Sequence, residues 1–104
     1  EIEATDLWVS HLACQPRIFS PNRGQSTAIS FSISQAVPIT ISIYDTDNRL
    51  KHLVAERQLV TAGHHVFWWD GRNHSGQRLV SDIYIVLVQA REILATKVVV
   101  VKND

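Results

Sequence analysis

GHHVFWWDGRNHSGQRLVSDIY, residues 63–84, decides the fold. Its first seven residues alternate: His65, Phe67 and Trp69 share one side of an extended chain, and His64, Val66 and Trp68 share the other. Asp70-Gly71 then marks a tight turn, and a polar hairpin loop with a second glycine, Gly76, follows. From Ile83 a new apolar strand begins. Asp70 reads as a turn residue whose carboxylate accepts backbone N–H bonds and closes the loop.

The same pattern runs outward in both directions. Ile29, Phe31 and Ile33 alternate with Ser30, Ser32 and Ser34, and Ile39, Ile41 and Ile43 alternate with Thr40 and Ser42. Only the turn-like SQAVP lies between these two runs, so residues 27–34 and 38–45 are expected to form a hairpin. Asp45–Arg49 is a turn cluster. RLKHLV (49–54) predicts a short strand, and AERQLVTAG (55–63) leads to a turn at Ala62-Gly63. IYIVLVQA (83–90) and TKVVVVK (96–102) close the chain as strands. Near the N-terminus, residues 4–16 read as a strand whose phase slips at His11-Leu12, as a bulge would make it do. Residues 17–26 read as a loop anchored by Phe19.

Short alternating strands separated by turn signals predict an all-β, antiparallel two-sheet sandwich. Its expected core is Ile29, Phe31, Ile33, Ile41, Ile43, Phe67, Trp69, Tyr84, Val86 and Val88. With 104 residues the chain is a single domain, 1–104, in which 1–18 is an N-terminal strand or linker. It opens on Glu1 and contains no Met, which reads as a piece or mature form of a longer protein.

Charge and composition remove several function classes. Ten basic residues balance ten acidic ones, so no basic stripe is expected for a phosphate backbone or an anionic lipid surface. Apolar runs such as YIVLV are strand-sized, far short of a membrane-spanning helix. Cys14 is the only cysteine and reads as a buried small hydrophobe. His64 and His65 are adjacent on a strand, so they point to opposite faces and cannot share one ion. Asp45 and Asp47 are followed by Arg49 and Leu50 in place of further oxygen ligands and glycine, which makes a plain turn the better reading. No catalytic residue, metal site or cofactor is assigned.

One feature exceeds a structural account. Ile83, Ile85 and Leu87 occupy the outward face of the late strand, where a solvated sheet carries polar side chains. Trp68 and Trp8 are also expected to point outward. These five residues are the candidate interaction patch, to be covered by a neighbouring domain of the same chain or by a partner subunit.

The order of motifs resembles the immunoglobulin-like domain of the flagellar hook-capping protein family, a module that recurs in other bacterial secreted and surface proteins. FSPN (19–22) is similar to the family's opening loop. ISFSIS and ITISIYDTDNRL are similar to its first hairpin and the turn that follows. AGHHVFWWDGRNHSGQRLVSDIY is similar to its most distinctive stretch, with Gly63, His65, Trp69, Asp70, Gly71, Gly76 and Tyr84 in place, and TKVVVVK is similar to its last strand. The resemblance covers residues 19–102. It implies an immunoglobulin/fibronectin-III-like sandwich and a non-enzymatic assembly, spacer or anchoring role in an extracytoplasmic bacterial protein. Alternatives are an accessory or carbohydrate-binding domain of a secreted hydrolase, with Trp8, Trp68 and the histidine-bearing 72–78 loop as a sugar platform, and a C-terminal secretion or sorting module. Departures from the family are Arg23 and Gln25, where Gly and Asp are common, Asn48 for a turn glycine, and Asp82 for a glycine before the late strand. Arg23 opposes a calcium ion in the opening loop.

Overall fold

The computed structural model describes residues 6–103. Eight strands follow in order: β1 (Val9–Gln15), β2 (Ile18–Phe19), β3 (Thr27–Ile33), β4 (Val37–Tyr44), β5 (Leu50–Val60), β6 (Gly63–Trp69), β7 (Asp82–Ala90) and β8 (Ile93–Val101). They form a three-stranded sheet, β1-β3-β6, packed on a five-stranded sheet, β2-β8-β7-β4-β5. The expected two-sheet sandwich is present. Every pairing is antiparallel except β2 with β8, which run parallel.

Alternation builds the core. In β3 every second residue from Thr27 to Ile33 is buried, and in β7 Tyr84, Val86, Val88 and Ala90 are buried. Nine of the ten expected core residues are fully buried. Phe67 is the exception: it is half-buried because β6 is the outer strand of its sheet. The expected slip at His11-Leu12 is a bulge, with His11 at φ 58° and the register shifting between Ser10 and Ala13. Ala4 and Thr5, the start of that expected strand, lie outside the described residues.

Three sequence expectations are corrected. First, β3 and β4 do not form a hairpin. β3 pairs with β1 and β6, while β4 pairs with β5 and β7 in the other sheet. Both strands carry three large apolar residues on one face, and placing them across the core buries both faces against each other. Second, the 70–81 segment crosses between sheets as well. Its only hairpin is local, where Arg72 bridges Arg78 and the Asn73 N–H donates to the Gln77 carbonyl at 2.8 Å. Third, residues 49–63 do not divide into two segments, since β5 runs unbroken from Leu50 to Val60. It absorbs irregularities in its register with β4 and a positive φ of 46° at Arg57.

Turns follow their residue chemistry. The Asp45 carboxylate accepts the N–H groups of Asp47 and Arg49 at 2.9 Å each. The bond from Arg49 is the main cause that holds its carboxyl below the usual range. The Asp70 carboxylate accepts the Arg72 N–H at 3.2 Å.

Trp69 joins the two sheets at one end of the core. Phe19 and Tyr84 meet its ring edge-on, with centroids at 5.6 and 5.9 Å. Such pairs add about 0.5–1.5 kcal/mol each beyond area burial. The indole N–H donates to the Arg72 carbonyl at 2.9 Å, so no buried donor is lost. The Tyr84 hydroxyl donates back to the Val80 carbonyl at 2.8 Å, which ties β7 to the segment that leads into it. Gly71 completes the joint. Its φ is 81°, and a Cβ there would overlap the Pro21 ring and press on Phe19. The SPN loop can therefore sit on the Trp-Asp-Gly turn only because the turn has no side chain at that point.

Gly71→Ala is expected to cost about 2–4 kcal/mol, from left-handed strain and the Pro21 overlap together. Trp69→Ala is expected to cost about 3–5 kcal/mol. Urea denaturation measures both. A Gly71→Ala midpoint equal to that of wild type would show that the loop is not locked on this turn.

Candidate interaction surface

The register assigns the outward face of the five-stranded sheet row by row. Ile18, Val100 and Ile83 lie in line across β2, β8 and β7. Val98, Ile85, Tyr44 and Leu50 make the next row, and Thr96, Leu87, Ser42 and Leu53 the next. None of these eleven side chains is charged. Leu94 extends the face at 61% exposure, beside Gln89. Tyr44, Asn48, Ile85, Leu87 and Thr96 line a shallow groove of about 450 Å³ at its centre. Water-facing sheet surfaces usually alternate to polar residues, and this face departs from that pattern.

The five sequence-assigned patch residues do not form one surface. Ile83, Ile85 and Leu87 lie together on the five-stranded sheet. Trp68 lies on the outer face of the other sheet, opposite Ala28. Trp8 lies on that sheet too, exchanging backbone and hydroxyl bonds with Ser34. Ala28 lies at the start of β3 and Ser34 just past its end, so the backbone partners of the two tryptophans are about 20 Å apart. Parity along a strand tells which residues share a side, and it does not tell which sheet the strand joins. The sequence reading missed Ile18, Leu50, Leu53, Leu94 and Val98 on the first face. A signal for Val98 existed, because VVVV (98–101) does not alternate and so leaves valines on both sides of the sheet.

Trp68 has company of another kind. Together with Ser26, His52, Asp70, Arg72, Asn73 and His74 it lines an open cleft of about 440 Å³. The indole is 65% exposed. Arg72 is held by the Asp70 carboxylate at 3.5 Å and the Gly76 carbonyl at 2.8 Å. Burial lowers the pKa of His52, with Asp70 acting in the opposite sense. Trp8 is not part of this cleft.

Cys14 is buried, and burial pushes its thiol up to about 11, so it is protonated at neutral pH. His64 and His65 do face opposite sides, opposite Ser32 and Phe31 respectively. The His65 ring N–H donates to the Thr61 carbonyl at 2.6 Å. In the opening loop the Gln25 side chain accepts the Ser20 N–H at 2.8 Å, and the Asn22 carboxamide oxygen faces the Arg78 guanidinium at 3.4 Å.

No protein-family model matches the chain, and no curated protein does. Solved structures do match. One is PorZ of Porphyromonas gingivalis, described as an essential bacterial surface component of the type-IX secretion system. The fold is shared with part of it. The TM-score is 0.61 at 18% identity, over 88% of this chain and 11% of PorZ. At that identity the likeness is one of fold, and the chain spans about a ninth of the length of PorZ.

Leu87→Asp is expected to keep the fold, at a cost of about 1 kcal/mol, while reducing binding of a hydrophobic dye. Loss of the cooperative thermal transition would place Leu87 in the core and remove it from the surface.

Proposed function

We propose that the chain is a non-catalytic immunoglobulin-like module of a larger extracytoplasmic bacterial protein, docked onto a neighbouring domain or subunit through the outer face of its five-stranded sheet. The observation that carries this reading is the run of three uncharged, mostly apolar rows from Ile18 to Leu53. The strand order and the Tyr84 corner support the immunoglobulin-like assignment. The fold likeness to part of a bacterial surface component supports the extracytoplasmic setting. The hook-cap resemblance, which rests on the motifs of residues 19–102, supports an assembly or anchoring role.

A thiol-labelling comparison tests the docking. Val98→Cys and Ile83→Cys should label quickly in the isolated domain and slowly in the longer protein, with wild type giving the background from Cys14. Equal rates in both settings would sink the docking face.

The Trp68 cleft favours a second reading, a glycan site. An exposed indole beside carboxylate, amide and imidazole groups offers both stacking and hydrogen bonding to a sugar ring. Binding on a glycan array that vanishes in Trp68→Ala, with unchanged melting temperature, would support it. Array silence for wild type would end it.

A further inference from the structure

Beyond its three uncharged rows, the outer face of the five-stranded sheet changes character. The next row is Leu94, Gln89 and Thr40, across β8, β7 and β4. On β5, Ile41 faces Ala55 and Ile39 faces Gln58, so Glu56 and Arg57 together stand across from Thr40 alone. A bulge of this kind re-aims side chains. The Arg57 N–H donates to the Thr40 hydroxyl oxygen at 3.1 Å. From the other side comes Arg91, in the turn after β7, whose carbonyl accepts the Gln89 side-chain N–H at 3.4 Å. Arg57, Arg91, Thr40 and Gln89 thus border one open cavity of about 450 Å³, and Pro38 and Leu53 add its apolar lining.

Both arginines hold a strained backbone, with φ at 46° for Arg57 and 56° for Arg91. Among the described residues, the other non-glycine positions with positive φ are His11 and Asn48, residue types that visit this region more readily. Glycine would sit at either arginine position at lower cost. Strain of this kind collects at ligand clamps. What the two strained positions share is a guanidinium and this cavity.

The charges there are poorly matched within the chain. Arg57 reaches Glu56 only at 3.9 Å, and both side chains are largely exposed, so that pair holds weakly. Among the described residues no ion pair holds Arg91, and Glu92 beside it does not line the cavity. The Thr40 oxygen accepts from Arg57, which leaves its proton free to donate outward. Two arginines against Glu56 leave the lining with a single net positive charge.

We infer that this cavity binds a carboxylate joined to a small apolar group. The net charge matches a monoanion. The two guanidinium forks and the Thr40 hydroxyl are donors of the kind a carboxylate takes. Pro38 and Leu53 offer a surface to the apolar body behind it. Such a group reaches the site as a free ligand or as an acidic residue of a neighbouring domain. The site belongs to the isolated chain, so it does not depend on the docking face.

NMR titration of the 104-residue chain at constant ionic strength tests the site with isovalerate, acetate and the uncharged isovaleramide. Isovalerate should give saturable shifts at Thr40, Arg57 and Arg91 while Arg17, Arg49 and Arg78 stay in place. Acetate should bind more weakly, and isovaleramide should give no response. Arg91→Gly relieves the strain, so it should melt no lower than wild type, yet weaken isovalerate about threefold or more. Glu56→Gln should strengthen it about twofold, since a like charge leaves the cavity. The same titration of the longer protein distinguishes the sources. An unchanged response assigns a free ligand. A lost response, with Arg91 signals already at their isovalerate-bound positions, assigns the neighbour's acidic residue. The inference is overturned if isovaleramide or acetate matches isovalerate, or if the shifts fail to saturate or spread equally to the other arginines. It is equally overturned if Arg91→Gly binds as wild type does, if Glu56→Gln binds no tighter, or if Arg91→Gly melts lower, which would make that arginine a structural residue.

Discussion

Trp69 is held from three directions, and the rest of the sandwich hangs on that arrangement. Its indole lies between Phe19 from the opening loop and Tyr84 from β7, and its N–H is tied to the loop it precedes. The three aromatic residues come from the two different sheets and from segments far apart in sequence. A residue that closes a core in this way sets the spacing between sheets at one end. Gly71 is the geometric condition for it, since Pro21 occupies the volume that a side chain would need. The turn and the core are one device: the chain reverses where the tryptophan ends, and the space opened by glycine is filled by proline.

Much of this was legible in the alternation of residues. Ile29, Phe31, Ile33, Ile41, Ile43, Val86 and Val88 are buried because a two-residue period has only one way to hide its apolar half. The His11 bulge was legible too, because a phase slip leaves the wrong residue on the wrong side. Neighbours were not legible. β3 and β4 look like a hairpin on paper, yet their apolar faces are each other's cover and lie in different sheets. The same ambiguity explains the division of the candidate patch. Ile83, Ile85 and Leu87 stood out because the late strand is apolar on both sides, whereas the place of Trp68 depended on which sheet β6 joined. Phe67 follows from the same fact: its parity is that of a core residue, and its half-exposure is a property of the edge.

The surface divides its roles by element. The five-stranded sheet offers an uncharged face, the Trp68 cleft offers mixed polar and aromatic groups, and β6 offers backbone. The cleft is lined in part by Trp69 and by Arg72, and β6 ends on Trp69, so both adjoin the joint that closes the core.

The parallel pairing of β2 with β8 has a mechanical consequence. The Val100 N–H donates to the Arg17 carbonyl at 2.8 Å, and the Lys102 N–H donates to the Phe19 carbonyl at 3.0 Å. Tension applied to the chain ahead of β2 and beyond β8 pulls these two strands in opposite directions along their length. The bonds then carry the load together in shear, and they do not open one after another as in peeling.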